Sequence, residues 1–375
     1  MREALQQWGT EPKDLAEEAN AAPRLDQIEE NKVTVMLERL NAFPAQIRDA
    51  WRLGADSPLG QRRPRGIPRR VVICGMGGSG NGAHLIQRYG ETHCAVPIQK
   101  ASGYHLPAGL TKDSLVVAVS YSGNTAETRS CYEEAAERGI PRAVICGGGD
   151  LRRRARQLGD TLVLLPDGLQ PREALAYLTV PIFLLLARFG LWQTDTRQLL
   201  ELLEATNEVV YRCNPFVPFA ENPAKKLAAA ACRRLPIVLG TEGCPEAAAG
   251  RWRAMLNENA KLPALSDSLA EFCHNGIETL NHEQQLFLLR SMTEAPAQKR
   301  QIAALEKVAA ERGAGCQTVW VMGKNCLAKG LAFMALGDYC SLYAACLRRA
   351  DCDRIPSISR LKTLVEKENL CYNKR

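Results

Sequence analysis

Aromatic residues are scarce, 6% of a 375-residue chain, and none interleaves with the densest basic run, Arg62, Arg63, Arg65, Arg69 and Arg70. A single-strand nucleic-acid binder needs rings for bases to stack on. Broken by Pro64, Gly66 and Pro68, this run reads as a solvated linker, and no nucleic-acid partner is expected. No two cysteines are spaced as CxxC, which removes zinc ribbons and thioredoxin-like redox chemistry. The opening MREALQQWGTEPKD has no apolar core, so no signal peptide is expected. The longest uncharged apolar stretch, Ala174 to Ala187, contains Pro181. It is too short to span a bilayer and predicts a buried helix, so no membrane partner is expected. Of the five histidines, His84, His93, His105 and His282 lack metal-ligand spacing, and His282-Glu283 lacks the second histidine of a zincin helix. No metal is expected.

What is present is ordinary globular material. The chain is 46% hydrophobic and 24% charged, with a formal net charge of +7. That mild excess suits an anionic small molecule. The 14 cysteines sit mostly in apolar context, as at Cys74, Cys146 and Cys232, and read as small buried hydrophobes. So many free thiols imply a reducing compartment, hence the cytoplasm.

The length points to two domains or three. Leu25, Ile28, Val33, Met36, Leu37, Leu40 and Ile47 mark one amphipathic helical face near the N-terminus, and the stretch from Asp56 to Arg70 breaks it. Strands are then expected at Val71–Cys74, Val96–Lys100, Ser114–Ser120, Ala143–Cys146 and Thr161–Leu165, separated by helices. Such alternation makes a parallel sheet with helices on both faces. Residues from Glu173 to about Ala220 read as helical. A second cycle opens at Pro236–Leu239 with Gly240-Thr241-Glu242-Gly243 and a helix, and Val319–Met322 reads as a further strand before Gly323. The repeat of strand, glycine turn and helix predicts two similar αβα lobes. The expected division is an N-terminal helical segment and linker (1–69), a first lobe (70–190), a helical connection (191–225) and a second lobe with a C-terminal helix (226–375).

Two turns carry chemistry. Gly75-Met76-Gly77-Gly78-Ser79-Gly80 follows a strand and opens a helix, where glycines expose backbone N–H groups to an anion. Gly75, Gly77 and Gly80 also fit GxGxxG, but that dinucleotide fingerprint wants a carboxylate at the end of the next strand. Here that end reads Ile98-Gln99-Lys100-Ala101-Ser102, so NAD is not expected. The third strand ends in Ser120-Tyr121-Ser122-Gly123-Asn124-Thr125. Plain N-capping would use one hydroxyl; Ser120, Ser122 and Thr125 beside a glycine suit a phosphate dianion instead.

GMGGSG followed by SYSGNT resembles the SIS (sugar isomerase) fold, and Gln170-Pro171-Arg172, Asn257-Glu258-Asn259 and His274-Asn275 make the chain similar to the bifunctional phosphoglucose/phosphomannose isomerase family. The resemblance runs from about Val71 to the C-terminal tail. It implies an α/β fold of two SIS-type αβα sandwich lobes with parallel sheets, and metal- and cofactor-free aldose–ketose isomerisation of glucose 6-phosphate, with mannose 6-phosphate as a second aldose. Gly77, Gly78, Ser79, Ser120, Ser122 and Thr125 would hold the phosphate. Glu258 would be the base, and Arg172, which cannot deprotonate, would steady the enediolate. His274 would open the ring from the partner subunit of a homodimer, and Lys362 would assist from the tail. Asn81 and Gly276 depart from the family pattern, and Ile355 stands where members carry a threonine linked to mannose 6-phosphate. The rivals are an SIS enzyme for an amino-sugar or glycated phosphate, and a sugar-phosphate sensor without catalysis.

Overall fold

Val71, Val72 and Ile73 are fully buried, as are all the apolar residues from Leu115 to Val119, the pattern of strands covered by helices on both faces. A computed structural model describes residues 21–26, 35–291 and 294–372, with side chains through Val365. Helices α1 (Val35–Asn41) and α2 (Phe43–Asp56) come first. Then β1 (Arg70–Cys74), α3 (Gly77–His93), β2 (Ile98–Ala101), β3 (Ser114–Ser120), α4 (Ala126–Glu137), β4 (Arg142–Cys146), α5 (Gly149–Leu158) and β5 (Thr161–Leu164) form the first lobe. Their strands pair in parallel in the order β2-β1-β3-β4-β5. Helices α6 (Leu175–Arg188), α7 (Thr196–Cys213) and α8 (Pro223–Arg233) connect it to the second lobe. That lobe contains β6 (Leu235–Gly240), α9 (Cys244–Glu258), β7 (Leu265–Ser268), α10 (Leu269–Phe272), a 3-10 turn (Gly276–Thr279), β8 (Gln284–Leu289), α11 (Pro296–Glu311), β9 (Gly315–Val319) and α12 (Cys326–Arg348). Its parallel order is β7-β6-β8-β9. Helix α13 (Pro356–Tyr372) ends the described chain.

Leu25, Met36, Leu37, Leu40 and Ile47 are buried as the N-terminal periodicity requires; Ile28 and Val33 lie outside the described residues. The expected helix from Glu173 to Ala220 is two helices, α6 and α7, with Gly190 in the break at φ 86°. Asp195 caps α7 by accepting from the backbone of Arg197 and Gln198, the sequence cue for a fresh start.

The Val319–Met322 strand is a correction: the ladder ends with Leu289 opposite Val319. Trp320 and Met322 leave the sheet, 39% and 56% exposed. The real strand, Gly315–Val319, lies at an edge and is only half-buried, so its apolar signal is weak. Helix α12 has no counterpart in the sequence reading. By length and composition it could cross a membrane, but 89% of its most apolar window is buried inside this protein. A helix wrapped on all sides shows no amphipathic period.

The cysteines bring a second correction. Cys244 and Cys326, separated by 82 residues, are joined by a disulfide, so this pair does not belong with the free thiols. Each is the first residue of its helix, α9 and α12, and packing those helices side by side brings their Cα atoms to 5.8 Å. Sequence spacing carries no trace of that approach.

In the first lobe, Arg142 Nε and Nη2 each donate to Asp160 at 2.9 Å, and the Tyr132 hydroxyl donates to the same carboxylate at 2.5 Å. Both ionised side chains are essentially inaccessible. Removing one partner of such a pair strands the other in a low-dielectric interior. Asp160→Ala should therefore lower stability by about 3–5 kcal/mol, measured as a drop in the urea midpoint at unchanged slope.

Candidate functional site

The glycine turn after β1 and the hydroxyl turn after β3 lie side by side, because β1 and β3 are hydrogen-bonded neighbours. The Tyr121 backbone N–H donates to Ser79 Oγ at 3.3 Å, joining the two turns. Ser120 Oγ lies 2.8 Å from Thr125 Oγ1 and accepts from the Gly123 N–H at 3.1 Å, while Ser122 Oγ accepts from the Asn124 N–H at 3.2 Å. Gly123 must be glycine: its φ is +69°, and a Cβ there would lie 1.8 Å from the Gly148 carbonyl oxygen.

Both helix starts lack side-chain caps. Met76 makes no cap bond to α3 and Thr125 makes none to α4, its hydroxyl being turned to Ser120. First-turn N–H groups have no partner within their helix. The two uncapped helix starts, with the hydroxyls, form an electropositive cradle suited to a dianion.

Tyr121 is a contact that sequence reasoning passed over. Its hydroxyl donates to Pro166 O at 2.8 Å and accepts from the Leu169 N–H at 2.9 Å. That holds the start of the segment leading to Gln170-Pro171-Arg172. The segment then packs flat on the glycine turn: a Cβ on Gly78 would lie 2.5 Å from Pro171 O. Arg172, 3% exposed, is thereby set beside the cradle. Its Nε donates to Asn259 Oδ1 at 3.1 Å, its Nη2 to Cys352 O and Asp353 O at 2.9 Å each, and its Nη1 to Gln170 Oε1. A guanidinium has five N–H donors, and these bonds use four of them, leaving one on Nη1.

The bond to Asn259 ties the first lobe to the C-terminal end of α9. Glu258, its last helical residue, is half-buried. Lys261 sits just beyond at φ 51°, and its ammonium donates to Glu258 O and Arg354 O at 2.7 Å and to Asp351 O at 2.5 Å. Burial, then the nearby Arg172 charge, lowers its pKa from the ordinary lysine value. Lys100, at the end of β2, rests its Cε against Gly80, and burial followed by Arg253 lowers its pKa. Neither lysine belongs to a recognisable motif; the one available cue is position, Lys100 near the end of a strand and Lys261 just past a helix end.

Thus Ser79, Ser120, Ser122 and Thr125 sit in two joined turns, Gly78 in the first of them carries Pro171, and Arg172 reaches from there to Asn259, the residue after Glu258. Two expected members are not gathered with them. His274, just after α10, and Lys362, on α13, are both exposed on the single chain. Ile355, directly before α13, is partly buried.

Two parallel-sheet lobes with a phosphate-type cradle define an SIS-domain protein. The family model for the SIS domain matches residues 68–156, and that for the bacterial phospho-glucose isomerase C-terminal SIS domain matches residues 220–365. A bifunctional phosphoglucose/phosphomannose isomerase of Caldicellulosiruptor bescii is 32% identical over 333 residues, covering 87% of this chain and 98% of that one. Another from Thermoplasma acidophilum is 30% identical, over 78% of this chain and 88% of that one. The chain belongs to the bifunctional phosphoglucose/phosphomannose isomerase family. Among solved structures, the C-terminal domain of glucosamine-fructose-6-phosphate aminotransferase from Francisella tularensis shares the fold, with TM-score 0.66 and 14% identity over 85% of this chain and 98% of that one. Glucosamine-6-phosphate deaminase from Thermotoga maritima does so with TM-score 0.61 and 16% identity, over 92% and 97%.

Gly78→Ala should force the Pro171 backbone off the glycine turn, lowering stability by about 1–3 kcal/mol and displacing Arg172, read from denaturant midpoints and weakened binding of a sugar phosphate. His84 gives a pH prediction. Burial, then Arg88 and Lys100, pulls its imidazole down to about 4. The unfolded chain takes up that proton near pH 6.5, so between about 6.5 and 4 the unfolded state binds more protons and stability falls with falling pH. His84→Gln should flatten the melting temperature against pH within that window; an unchanged slope would sink the assignment.

Proposed function

We propose that the protein interconverts glucose 6-phosphate and fructose 6-phosphate, with mannose 6-phosphate as a second aldose, at a site shared by two copies of the chain. The observation that carries this reading is the bond from Arg172 to Asn259, with Pro171 seated on Gly78: it sets a permanent cation between a phosphate cradle and the residue next to Glu258.

In this reading the phosphate sits against the N–H groups of Gly77 and Gly78 and the hydroxyls of Ser79, Ser120, Ser122 and Thr125. His274, from the second subunit, and Lys362 assist ring opening; their exposure on one chain fits a site completed on assembly. The Glu258 carboxylate takes the proton from C2 of the open-chain aldose, the C–H electrons form the C1=C2 bond of the cis-enediol, and the carbonyl pair moves onto O1. The O2 hydroxyl passes its proton to O1, and as O2 becomes the ketone carbonyl the C1=C2 pair takes the proton back from Glu258 at C1. The open Nη1–H of Arg172 faces the charge that develops on these oxygens, which is where a preorganised donor lowers the barrier. No step draws on a metal or a cofactor. Glucose and mannose phosphates differ only at C2, so one planar enediol serves both. Ile355, in place of threonine, favours glucose as the principal aldose. The place of this reaction is sugar-phosphate metabolism in the cytoplasm, the compartment suited to the many unpaired thiols.

One relative supports a second reading. A D-glucosamine-6-phosphate 4-epimerase of Sulfolobus acidocaldarius is 29% identical over 57% of this chain and 65% of that one, so glucosamine 6-phosphate belongs in the assay.

Glu258→Gln should reduce kcat with fructose 6-phosphate by about 10²–10⁴ while calorimetric binding of the sugar phosphate stays close to wild type. In heavy water the wild type should place deuterium at C1 or C2 and the variant should not. Binding lost together with turnover, or turnover of glucosamine 6-phosphate alone, would overturn the proposal.

A further inference from the structure

Arg172 stands in a closed ring of hydrogen bonds that no part of the proposed chemistry consumes. Its Nε donates to Asn259 Oδ1 at 3.1 Å, and Asn259 Nδ2 donates to Ser341 Oγ at 2.9 Å. The Ser341 hydroxyl donates to the Asp338 carbonyl at 2.7 Å. The Asp338 carboxylate accepts from Arg251 Nε at 2.9 Å and from Arg251 Nη2 at 2.7 Å. Arg251 Nη2 then donates at 2.7 Å to the carbonyl of Arg172 itself. Every member is at least nine-tenths buried: Arg172 is 3% exposed, Asn259 and Ser341 0%, Asp338 5% and Arg251 1%.

We propose that Arg251, Asp338, Ser341 and Asn259 are positioning residues for Arg172, fixing its backbone and its guanidinium plane for the isomerase reaction. The proposal rests on the role given to Arg172 above. Stability alone does not account for the ring. A buried ion pair is often no better for stability than apolar residues of the same size. Helices α9 and α12 are already joined by Trp252, whose indole N–H donates to Phe333 O at 2.6 Å. Direction is what the ring adds. Asn259 can present either its oxygen or its NH₂ group to Arg172, and only the oxygen can accept from Nε–H. The Ser341 hydroxyl donates to the Asp338 carbonyl, so it is left to accept from Asn259, which fixes the amide with its oxygen toward Arg172. Without that hydroxyl the amide is free to turn, and the guanidinium loses one of its anchors. Asp338 and Ser341, one helical turn apart on α12, thus control a side chain from another lobe. Burial raises the Asp338 pKa, and Arg251 opposes that shift.

The test is Ser341→Ala, which removes a single buried oxygen. It should lower kcat for fructose 6-phosphate about tenfold, the equivalent of a 1.36 kcal/mol rise in the barrier. KM should stay within about twofold, since the cradle in the first lobe is untouched. Ser341→Thr keeps the hydroxyl and should recover most of that loss. In an Arg172→Lys background, which has no guanidinium to orient, Ser341→Ala should have no further effect on kcat. A silent Ser341→Ala, equal losses in the Ala and Thr variants, or effects that multiply in the double variant would each overturn the positioning proposal while leaving the role of Arg172 intact. Full activity in Arg172→Lys alone would instead overturn that role, and the positioning proposal with it.

Discussion

Everything at the site depends on the flat approach of Pro171 to Gly78. A side chain at position 78 cannot coexist with that backbone, since its Cβ would fall 2.5 Å from the Pro171 oxygen. The approach places a fully charged, almost fully buried guanidinium beside two uncapped helix starts. It also lets the same guanidinium reach Asn259 at the far end of the second lobe. A buried cation is costly unless its donors are satisfied. Here satisfaction comes from both lobes at once, so separating them would leave the Arg172 charge short of acceptors.

The two lobes repeat one topology and use it differently. In the first, the turn after the leading strand is open and the helix that follows starts on glycines. In the second, the equivalent helix α9 starts on Cys244 and Pro245, and Cys244 is bonded to Cys326. Its first turn carries Glu246, paired with Arg88. An acidic residue there already occupies the positive end of the helix dipole, so this start does not favour a second anion. The second lobe contributes at the opposite end of α9, where Glu258 and Asn259 lie. The first lobe offers the N-terminus of its helix at the shared side, the second the C-terminus.

In the first lobe β1, β3 and β4 were readable because each is a short apolar run closed by a glycine or hydroxyl turn. The turns that hold Gly77, Gly78, Ser79, Ser120, Ser122 and Thr125 stood out for the same reason, since a glycine or hydroxyl turn after a strand is a local pattern. Arg172 and Glu258 stood out through short strings rather than periodicity. What stayed hidden is what long-range packing decides. Helix α12 is buried on every face and has no polar stripe to betray its period. Asp338 and Ser341 look like stray polar residues in an apolar run until Arg251 and Asn259 are brought against them. Strands β7 and β9 are edges with mixed burial. The Cys244–Cys326 bond joins two helix starts that nothing in the sequence links.

The end of α9 poses an electrostatic problem that the connector to α13 resolves. The last carbonyls of a helix have no partners within it and form its negative pole, and Glu258 adds a carboxylate there. Lys261, held in a left-handed backbone at φ 51°, turns its ammonium back onto Glu258 O and at the same time onto Asp351 O and Arg354 O. Arg348 Nε takes Ala260 O at 3.0 Å. Arg172 holds the same connector through Cys352 O and Asp353 O. Cations from three elements thus neutralise the helix end and pin residues 351–354 against it. The connector that leads to Ile355 and α13 is therefore held by the same Lys261 ammonium that caps the Glu258 carbonyl.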